Sequence, residues 1–403
     1  MNNVYTTCHS SEYDIRLAME EASRCLLCYD APCSKACPAE TKPDQFIRAI
    51  RFRNFKGAAE VIREANVCGG SCAVVCPAGK LCEGACLRKE IDKPIAIRKL
   101  QQFAVRQEMN HDMQILTNPN VSKKAKVACI GAGPASLACA AKLAQAGYAV
   151  EIFEANAKAG GMLSYGIPPA RLSQEIVDWD IKTVTNLGVK IHLNTQVGKD
   201  VSFADLESKF AAVFVGCGLW QGRKIGLAGV ELAGVIDAVD FLAAARATSG
   251  TGVKVAQNVV VIGAGDTGMD CAATAKLLGA ENVTVICNQD TIPAYHEELE
   301  YVQRMGVTVV TKYQPQQVIG TNIAEGVLST HQDGYSELKL KAEQVILAVG
   351  QVKREDGLPA VVAASGKIFA AGDVVNGGST VVEAVKQGKL TAATIIEFLA
   401  KGE

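Results

Sequence analysis

The spacing of hydrophobic positions changes near residue 126. Before it, apolar residues recur at roughly helical spacing over Lys42–Ala65 and Ile95–Met109, which predicts helical stretches there. From Lys126 onward, short apolar runs alternate with glycine-rich turns and alanine-rich segments, a pattern typical of βαβ units with a parallel sheet. Residues 110–125 are polar and contain Pro119, so they predict a linker between the two regions.

The second region contains one supersecondary unit twice. The segments KVACIGAGPASLACAAKLAQAGYAVEIFE (126–154) and NVVVIGAGDTGMDCAATAKLLGAENVTVIC (258–287) both predict a strand, a glycine-rich turn, a helix and a second strand. The predicted fold class is therefore α/β, with a helical N-terminal domain followed by two Rossmann-like nucleotide-binding domains.

Composition and charge exclude several classes of protein. A length of 403 residues predicts two or three domains, and a formal net charge of -1 gives no sign of a nucleic-acid partner. The N-terminus MNNVYTTCHSSEYDIR lacks the apolar core of a secretory signal, and no apolar run is long enough to cross a bilayer. We therefore expect a cytoplasmic protein without a membrane partner, whose thiols stay reduced.

The first glycine-rich turn is Gly131-Ala132-Gly133-Pro134-Ala135-Ser136, with serine at the third glycine position. Its first glycine permits the tight turn, and Gly133 lets a pyrophosphate approach the backbone at the helix N-terminus. The next strand ends at Glu154, 23 residues beyond Gly131, where a carboxylate is expected to bind ribose hydroxyls. Together these features predict a dinucleotide site.

The second turn, Gly263-Ala264-Gly265-Asp266-Thr267-Gly268, carries the complete glycine pattern. It predicts a second dinucleotide site, which would be the nicotinamide site if the first turn binds FAD. The segment after its second strand, Cys287-Asn288-Gln289-Asp290, contains no arginine to bind a 2′-phosphate, which favours NADH over NADPH.

Nine of the fifteen cysteines lie between Cys25 and Cys86. They occur as C-x2-C-x4-C-x3-C-P from Cys25, as C-x3-C-x3-C-P from Cys68, and as the pair Cys82 and Cys86. Reduced thiols exclude a disulfide framework, and a single tetrahedral zinc site would leave most of these cysteines unexplained. The pattern resembles the ferredoxin arrangement, in which the cysteine before proline serves a second cluster. Two four-iron clusters would need eight ligands, and the residues alone favour Cys72 as the eighth.

Near the C-terminus the motif Gly372-Asp373, followed by the segment that ends in Thr380, resembles flavoprotein oxidoreductases with two dinucleotide-binding domains. The resemblance implies that the first domain binds FAD and that the NAD(P)H domain is inserted in it. The implied boundaries are 124–238 and 345–403 for the FAD domain and 239–344 for the NAD(P)H domain. The residues that the resemblance places at FAD are Gly131, Gly133, Pro134, Ala135, Glu154, Gly161, Leu163, Gly372, Asp373 and Thr380.

The same resemblance implies that Tyr165, Gly166 and Ile167 lie near the flavin ring. The loop after Pro293 borders the nicotinamide in this family, which makes Glu297 or Glu298 a candidate contact. No side chain is singled out as catalytic, because hydride transfer between two cofactors depends on their positioning. The residues expected at NAD are Gly263, Gly265, Asp266, Thr267, Gly268 and Glu297.

The cysteine segment resembles the N-terminal domain of dihydropyrimidine dehydrogenase, and more generally the small subunit of glutamate synthase. The resemblance is carried by the segments RCLLCYDAPCSKACPA, NFKGAAEVI, CAVVCPAGKLCEGAC and KPIAIRKLQQFA. It implies a domain over residues 1–110 with two four-iron, four-sulfur clusters. One is held by Cys25, Cys28, Cys33 and Cys86, the other by Cys37, Cys76, Cys82 and the amide oxygen of Gln101 or its neighbour Gln102. Cys68 and Cys72 are then free core thiols.

The function implied is electron input to a two-subunit, NAD-dependent dihydropyrimidine dehydrogenase of pyrimidine catabolism. Electrons would pass from NADH to FAD and through the clusters to an FMN-containing catalytic subunit (PreA-type) in a heterotetramer, where uracil or thymine is reduced to the 5,6-dihydro base. Two alternatives stay open. One is the small subunit of glutamate synthase or a related NAD(P)H:ferredoxin oxidoreductase, and the other is a zinc-stabilised interaction module on a flavin fold.

Overall fold

The computed structural model describes residues 4–6, 12–119, 125–353 and 366–401. Contacts within the chain divide it into two compact units. The enclosing unit comprises His9–Ser164, Arg171–Leu219 and Arg354–Glu403. The inserted unit comprises Met1–Cys8, Tyr165–Ala170 and Trp220–Lys353.

The N-terminal part of the enclosing unit is helical. Its helices are α1 (Ile15–Ser23), α2 (Pro32–Lys35), α3 (Pro43–Arg51), α4 (Phe55–Ala65), α5 (Gly69–Val75) and α6 (Ile97–Asn110). Short 3-10 turns follow α5 at Ala78–Lys80 and Leu87–Glu90. The inward faces of these helices form a core in which Phe46, Ile50, Ile62, Leu100 and Phe103 are buried.

The helical stretch predicted over Lys42–Ala65 consists of two helices. The first ends at Arg51, and Arg53 then adopts a φ of 57°, which cannot continue a right-handed helix. Asn54 begins α4 by accepting a hydrogen bond from the Gly57 N–H at 2.9 Å. The stretch predicted over Ile95–Met109 is confirmed as α6.

Five parallel strands form the sheet of the enclosing unit, in the order β15-β4-β1-β2-β3. They are β1 (Lys126–Ile130), β2 (Ala149–Phe153), β3 (Lys190–His192), β4 (Ala212–Val215) and β15 (Ile368–Ala370). The chain also forms α7 (Pro134–Gln145), α8 (Met162–Tyr165), α9 (Gln174–Thr185), α10 (Phe203–Lys209), α14 (Asp373–Asn376) and α15 (Val381–Ala400). Because Ile130 pairs with both Phe153 and Val215, three strands end together and place the following turns at one edge.

The inserted unit has its own parallel sheet, in the order β6-β13-β7-β8-β9. Its strands are β6 (Val235–Asp237), β7 (Asn258–Ile262), β8 (Asn282–Ile286), β9 (Thr308–Val310) and β13 (Gln344–Leu347), and its helices are α11 (Ala238–Ala247), α12 (Asp266–Leu277) and α13 (His296–Arg304). An antiparallel sheet contains β10 (Tyr313–Ile319), β11 (Gly326–His331) and β12 (Glu337–Lys341). Two short strands, β5 (Gln221–Gly222) and β14 (Gln351–Val352), pair with each other.

These pairings extend the second sheet beyond the predicted 239–344 of the inserted domain. Both β6 and β13 belong to the second sheet, although the prediction left β6 in the FAD domain and cut through β13. Strands that share a hydrogen-bonded ladder belong to one sheet, and the main segment of the inserted unit runs from Trp220 to Lys353. The predicted functional domain boundaries stay a prediction. Of the predicted linker, residues 120–124 lie outside the described residues.

Within the described ranges, no helix combines the length and hydropathy needed to cross a bilayer.

Candidate cluster and dinucleotide sites

Four cysteines from separate segments come together in the helical domain. Burial raises the pKa of Cys25, and the neighbouring thiols Cys86 and Cys28 raise it further. Burial likewise raises the pKa of Cys33 to about 11, with repulsion from Cys25 and Cys86 as further causes. Since such repulsion falls with distance, Cys25 lies within electrostatic reach of Cys28, Cys33 and Cys86, and these four residues are here called the Cys25 group.

A second set, the Cys37 group, consists of Cys37, Cys76 and Cys82. Burial raises the pKa of Cys76 to about 12, and Cys37 adds to this shift while Arg98 opposes it. The pKa of Cys82 is raised by burial and then by Cys76, with Cys37 as a smaller cause. These electrostatic interactions run within the predicted set of four and within the predicted set of three, and the division between two clusters stays a prediction.

The eighth ligand position has two candidates with different surroundings. Gln101 is buried, and its Nε2 donates a hydrogen bond to the Gly69 carbonyl at 2.7 Å, which leaves Oε1 as the acceptor atom of the amide. Cys72 is also buried, and repulsion from Cys76 and Cys68 adds to the burial that raises its pKa. Gln102 is buried beside Gln101.

Among the described residues, no three Cys, His, Asp or Glu side chains converge closely enough to hold one metal ion. A four-iron cluster requires a wider arrangement, because each protein ligand binds a different iron atom. The two cysteine groups provide buried sulfur ligands of the kind that iron–sulfur clusters use.

A buried ionic network connects the helical domain to α9. Asp180 accepts hydrogen bonds from Arg63 Nη1 at 2.5 Å, from the Gly70 and Ser71 N–H groups at 3.1 and 2.8 Å, and from Ser71 Oγ at 2.7 Å. Arg63 Nε also donates to Glu108 at 2.8 Å, and all three charged side chains are at most 1% exposed. Asp180 thus caps the N-terminus of α5, the helix that carries Cys72 and precedes Cys76.

The first dinucleotide turn has the geometry of a pyrophosphate cradle. Gly131 has a φ of 86°, and a Cβ there would lie 2.9 Å from Cys217 Cα. The N-cap residue Gly133 has no side chain to cap α7, and Pro134 has no N–H, so the N–H groups of Ala135 and Ser136 are the ones this helix end would offer to a phosphate. A Cβ at Gly161 would lie 2.9 Å from Gly133 Cα, so two glycine turns meet at this point.

Glu154 lies at the same edge of the sheet and is buried. Its Oε2 accepts from the Ala132 N–H at 2.7 Å, and its Oε1 accepts from the Asn156 N–H at 2.8 Å. Oε1 also accepts from Asn156 Nδ2 at 2.8 Å. The carboxylate therefore fixes the conformation of the glycine turn, and Oε2 keeps a further lone pair for another donor.

The C-terminal motif packs directly against this turn. A Cβ at Gly372 would lie 3.0 Å from Ala135 Cβ, and one at Gly388 on α15 would lie 2.1 Å from the Ala135 carbonyl oxygen. Thr380 caps α15 by accepting from the Glu383 N–H at 3.3 Å. Burial raises the pKa of Asp373, whose Oδ1 accepts from the Ser379 N–H at 3.2 Å. Leu163 is a buried side chain of the same unit.

The second dinucleotide turn has a similar backbone. Gly263 has a φ of 111°, and a Cβ at Gly268 would lie 2.1 Å from the Gly263 carbonyl oxygen, so the helix packs tightly on the strand. A Cβ at Gly265 would meet no atom within 4 Å, which leaves space for a phosphate. Asp266 Oδ1 accepts from the Tyr295 N–H at 2.9 Å and holds the loop before α13. Thr267 follows in the first turn of α12, and Glu297 is exposed in the first turn of α13.

A cation is present at this site that local sequence reasoning missed. Lys312 Nζ lies 3.6 Å from Asp290 Oδ1, just beyond the strand that neighbours β8. A positive charge is therefore present at this edge of the second sheet, although no arginine follows β8 directly. Only the pairing of β8 with β9 brings these residues together, so no local motif could have found Lys312.

The segment Tyr165–Ala170 belongs to the inserted unit. The ring of Tyr165 packs edge-on against Trp220, with ring centroids 5.6 Å apart. Arg246 Nη1 donates to the Ile167 carbonyl at 2.7 Å. These contacts hold the backbone around Gly166, whose place beside a flavin stays a prediction.

Comparisons with known proteins match both regions. Residues 3–113 match the family described as dihydropyrimidine dehydrogenase domain II, 4Fe-4S cluster, and residues 125–388 match pyridine nucleotide-disulphide oxidoreductase. The chain is 43% identical over 398 residues to the NAD-dependent dihydropyrimidine dehydrogenase subunit PreT of Salmonella typhimurium, covering 95% of this chain and 94% of that protein. It is 42% identical over 397 residues to PreT of Escherichia coli K12, with the same coverage.

A solved structure supports the fold. FprA of Mycobacterium tuberculosis in complex with NADPH aligns with a TM-score of 0.61 and 18% identity, over 69% of this chain and 85% of that chain. The chain is an oxidoreductase in which a four-iron, four-sulfur domain precedes flavin- and NAD-binding domains. It belongs to the family of PreT subunits of NAD-dependent dihydropyrimidine dehydrogenase.

Proposed function

We propose that this chain takes a hydride from NADH onto FAD and delivers the electrons to an FMN-containing subunit that reversibly reduces uracil or thymine. The observation that carries this proposal is the common location of both cysteine groups and the first dinucleotide turn in the enclosing unit. The buried contact of Arg63 with Asp180 joins the two parts of that unit. The free cysteines also favour a cytoplasmic location.

We propose that the chain holds two clusters, one on the Cys25 group and one on the Cys37 group with Gln101. The hydrogen bond from Gln101 Nε2 to Gly69 supports this choice, because it orients the amide with its nitrogen on the backbone and its oxygen free to bind iron. Cys68 and Cys72 are then buried thiols without iron.

The glycine turns would hold the two dinucleotides. Gly131, Gly133, Pro134 and Ala135 present the start of α7 to the FAD pyrophosphate, and Gly161 and Leu163 would line the same site. Glu154 would bind ribose, while Gly372, Asp373 and Thr380 would hold the phosphate and ribityl region. In the inserted unit, Gly263, Gly265, Thr267 and Gly268 would hold NAD, with Asp266 and Glu297 at the loop before α13.

When bound, the flavin accepts a hydride and releases electrons one at a time, which links a two-electron donor to one-electron centres. The chain's own residues contribute position. Arg246 holds the backbone of the Ile167-Pro168-Pro169 segment through the Ile167 carbonyl, and Tyr165, Gly166 and Ile167 remain the residues proposed to lie near the flavin.

Several exposed apolar side chains lie next to members of the Cys25 group in the sequence or a few residues away, and we propose that the FMN-containing subunit docks on them. These side chains are Leu26 at 44% exposure, Tyr29 fully exposed, Leu87 at 46% and Ile91 at 63%. Leu26 and Tyr29 are adjacent in sequence to ligand candidates, as is Leu87, so the surface would cover this centre. Apolar surface of this kind is typical of an interface with another protein.

Co-expression with the catalytic subunit tests the function. The complex is expected to oxidise NADH when uracil is added and not when glutamine plus 2-oxoglutarate is added. Reduction of uracil by the isolated chain would contradict the two-subunit assignment, and turnover with glutamine would favour the glutamate synthase alternative.

Iron analysis tests the ligands. Replacing Cys72 with serine is expected to leave iron content unchanged, as is the matched control Cys68→Ser, whereas Cys76→Ser should remove about half of the iron because one of two clusters is lost. Loss of half of the iron in Cys72→Ser, with Cys68→Ser intact, would make Cys72 the eighth ligand.

The docking surface has its own test. Tyr29→Ser combined with Leu87→Ser should abolish co-purification with the catalytic subunit and keep both clusters. The exposed Ile323 in the inserted unit offers a control, since Ile323→Ser should leave co-purification unchanged. An intact complex with the double variant would exclude this surface.

A further inference from the structure

Lys389 on α15 reaches from the dinucleotide domain to the turn that follows Cys37. Its Nζ donates a hydrogen bond to the Ala39 carbonyl at 2.9 Å and lies 3.8 Å from Glu40 Oε2. The side chain is 22% exposed, whereas Glu40 is 80% exposed. The ammonium group is thus largely sheltered beside the cysteine turn, and its carboxylate partner extends into solvent.

The charges around this turn are mainly positive. Burial lowers the pKa of Lys389, with Lys142 and Lys42 as further causes, while Glu40 and Cys37 oppose the shift. Cys37 is therefore within electrostatic reach of Lys389. Iron-bound thiolates would add negative charge at the same place, which favours the charged form of the lysine.

Hydrogen bonds to the Cys37 sulfur, like the nearby positive charge, favour negative charge at this position. The Thr41 N–H donates to Cys37 Sγ at 3.4 Å, and the sulfur lies 3.3 Å from Thr41 Oγ1. Hydrogen bonds to ligand sulfurs and nearby charge are two of the factors that set the reduction potential of an iron–sulfur cluster.

The position of Lys389 along α15 relates it to the flavin site. The helix begins after Thr380, beside the predicted flavin phosphate site, and Lys389 follows nine residues later. At 1.5 Å per residue this separation is about 13 Å along the axis. One helix therefore has its positive end at the predicted flavin site and a cation at the Cys37 group.

We propose that Lys389 raises the reduction potential of the centre held by the Cys37 group, and so favours electron transfer to it from the flavin. The inference rests on the proposed function, in which this group holds a cluster. One electron leaves the flavin and one enters the cluster, no bond forms or breaks, and Lys389 keeps its proton. Its charge stabilises the extra negative charge of the reduced centre.

Redox titration of the purified holoprotein, followed by electron paramagnetic resonance of the reduced clusters, tests this inference. Lys389→Gln keeps an amide donor for the Ala39 carbonyl and loses the charge, whereas Lys389→Arg keeps the charge. In Lys389→Gln the equilibrium between the reduced and oxidised centre should shift about three- to tenfold toward the oxidised form, and tenfold corresponds to 59 mV for one electron. Lys389→Arg should retain the wild-type potential.

Lys386→Gln is the matched control, since Lys386 lies on the same helix and pairs with Glu383 at 3.3 Å. It should leave the potential unchanged. An unshifted potential in Lys389→Gln, or an equal shift in Lys386→Gln, would overturn the inference. The iron content of the wild-type protein distinguishes failure of the Lys389 inference from failure of the proposed function. Wild-type protein with only one cluster would contradict the cluster assignment itself.

Discussion

The two dinucleotide turns achieve close packing in different ways. In the inserted unit, Gly268 lets α12 lie against Gly263 of its own turn. In the enclosing unit Ser136 occupies that position, and glycine appears on the facing segment instead, where a Cβ at Gly216 would lie 2.4 Å from Ser136 Oγ. A third close approach comes from Gly388 on α15.

A glycine turn for a nucleotide can therefore be built from residues of one βαβ unit or from residues that lie far apart in the sequence. The second turn is complete within one βαβ unit of the sequence. The first depends on Gly216 and Gly388, which lie far along the chain. The glycine motif therefore identifies the second turn in full and the first turn only in part.

The largest effect on stability is expected at the buried ionic network that joins the cysteine domain to α9 of the enclosing unit. Arg63→Met leaves the buried carboxylates of Glu108 and Asp180 without their cation, which should cost about 3–5 kcal/mol in the free energy of unfolding. Chemical denaturation followed by cluster absorbance measures this cost. The exposed pair of Arg16 and Glu20 provides the control, since Arg16→Ala should change little.

The cost should depend on pH. Burial already raises the pKa of Glu108, and loss of Arg63 removes the main opposing charge. A carboxyl group with a raised folded-state pKa destabilises the protein when ionised, and this penalty is lost as the pH falls through the folded pKa toward the ordinary value. The deficit of Arg63→Met should therefore be smaller at weakly acidic than at weakly alkaline pH. A pH-independent deficit would contradict this account.

Gly388→Ala should disturb the first dinucleotide turn and leave the second intact. The added methyl group would lie 2.1 Å from the Ala135 carbonyl oxygen, and overpacking of this kind costs about 1–3 kcal/mol. We expect loss of FAD on gel filtration, measured by flavin absorbance, with NADH binding retained. Retained flavin would show that α15 can move aside without disturbing the turn.

Gly268→Ala is the mirror experiment in the second dinucleotide turn. Its methyl group would meet the Gly263 carbonyl oxygen at 2.1 Å, and overpacking of this kind costs about 1–3 kcal/mol. We expect NADH affinity to fall while FAD content stays normal. Stopped-flow reduction of the flavin by increasing NADH measures the affinity. Gly226→Ala serves as control, because a Cβ there meets no atom within 4 Å.

The smallest effect is expected at the start of β7. Hydrogen bonds from Lys341 and Asn258 lower the pKa of Glu343 to about 2. A lowered carboxyl pKa stabilises the folded state above the usual value of 4.5, and this stabilisation is lost as the pH falls through about 2. Glu343→Gln should cost less than about 1 kcal/mol at neutral pH, since the group is solvent-screened, and nothing in strong acid. Thermal unfolding across pH measures the difference.

Local motifs account for most of what the sequence predicted. The glycine turns and the helix over Ile97–Asn110 are consequences of short spacing and periodicity, whereas the grouping of seven cysteines was implied by the family resemblance. The contacts of Asp180 and Lys389 were not predicted, because each joins residues more than 100 positions apart and depends on tertiary packing. The membership of β6 and β13 in the second sheet was not predicted for the same reason, since it depends on their pairing and not on composition.

The position of β15 has a consequence for biosynthesis. This strand completes the first sheet beside β4, yet it follows the whole inserted unit in the chain. Domains generally fold as units during translation, so Trp220–Lys353 would be able to fold on the ribosome while the preceding sheet still lacks its edge strand and α15. The nascent chain would therefore acquire its nicotinamide domain first and become competent to capture flavin only when synthesis is nearly finished.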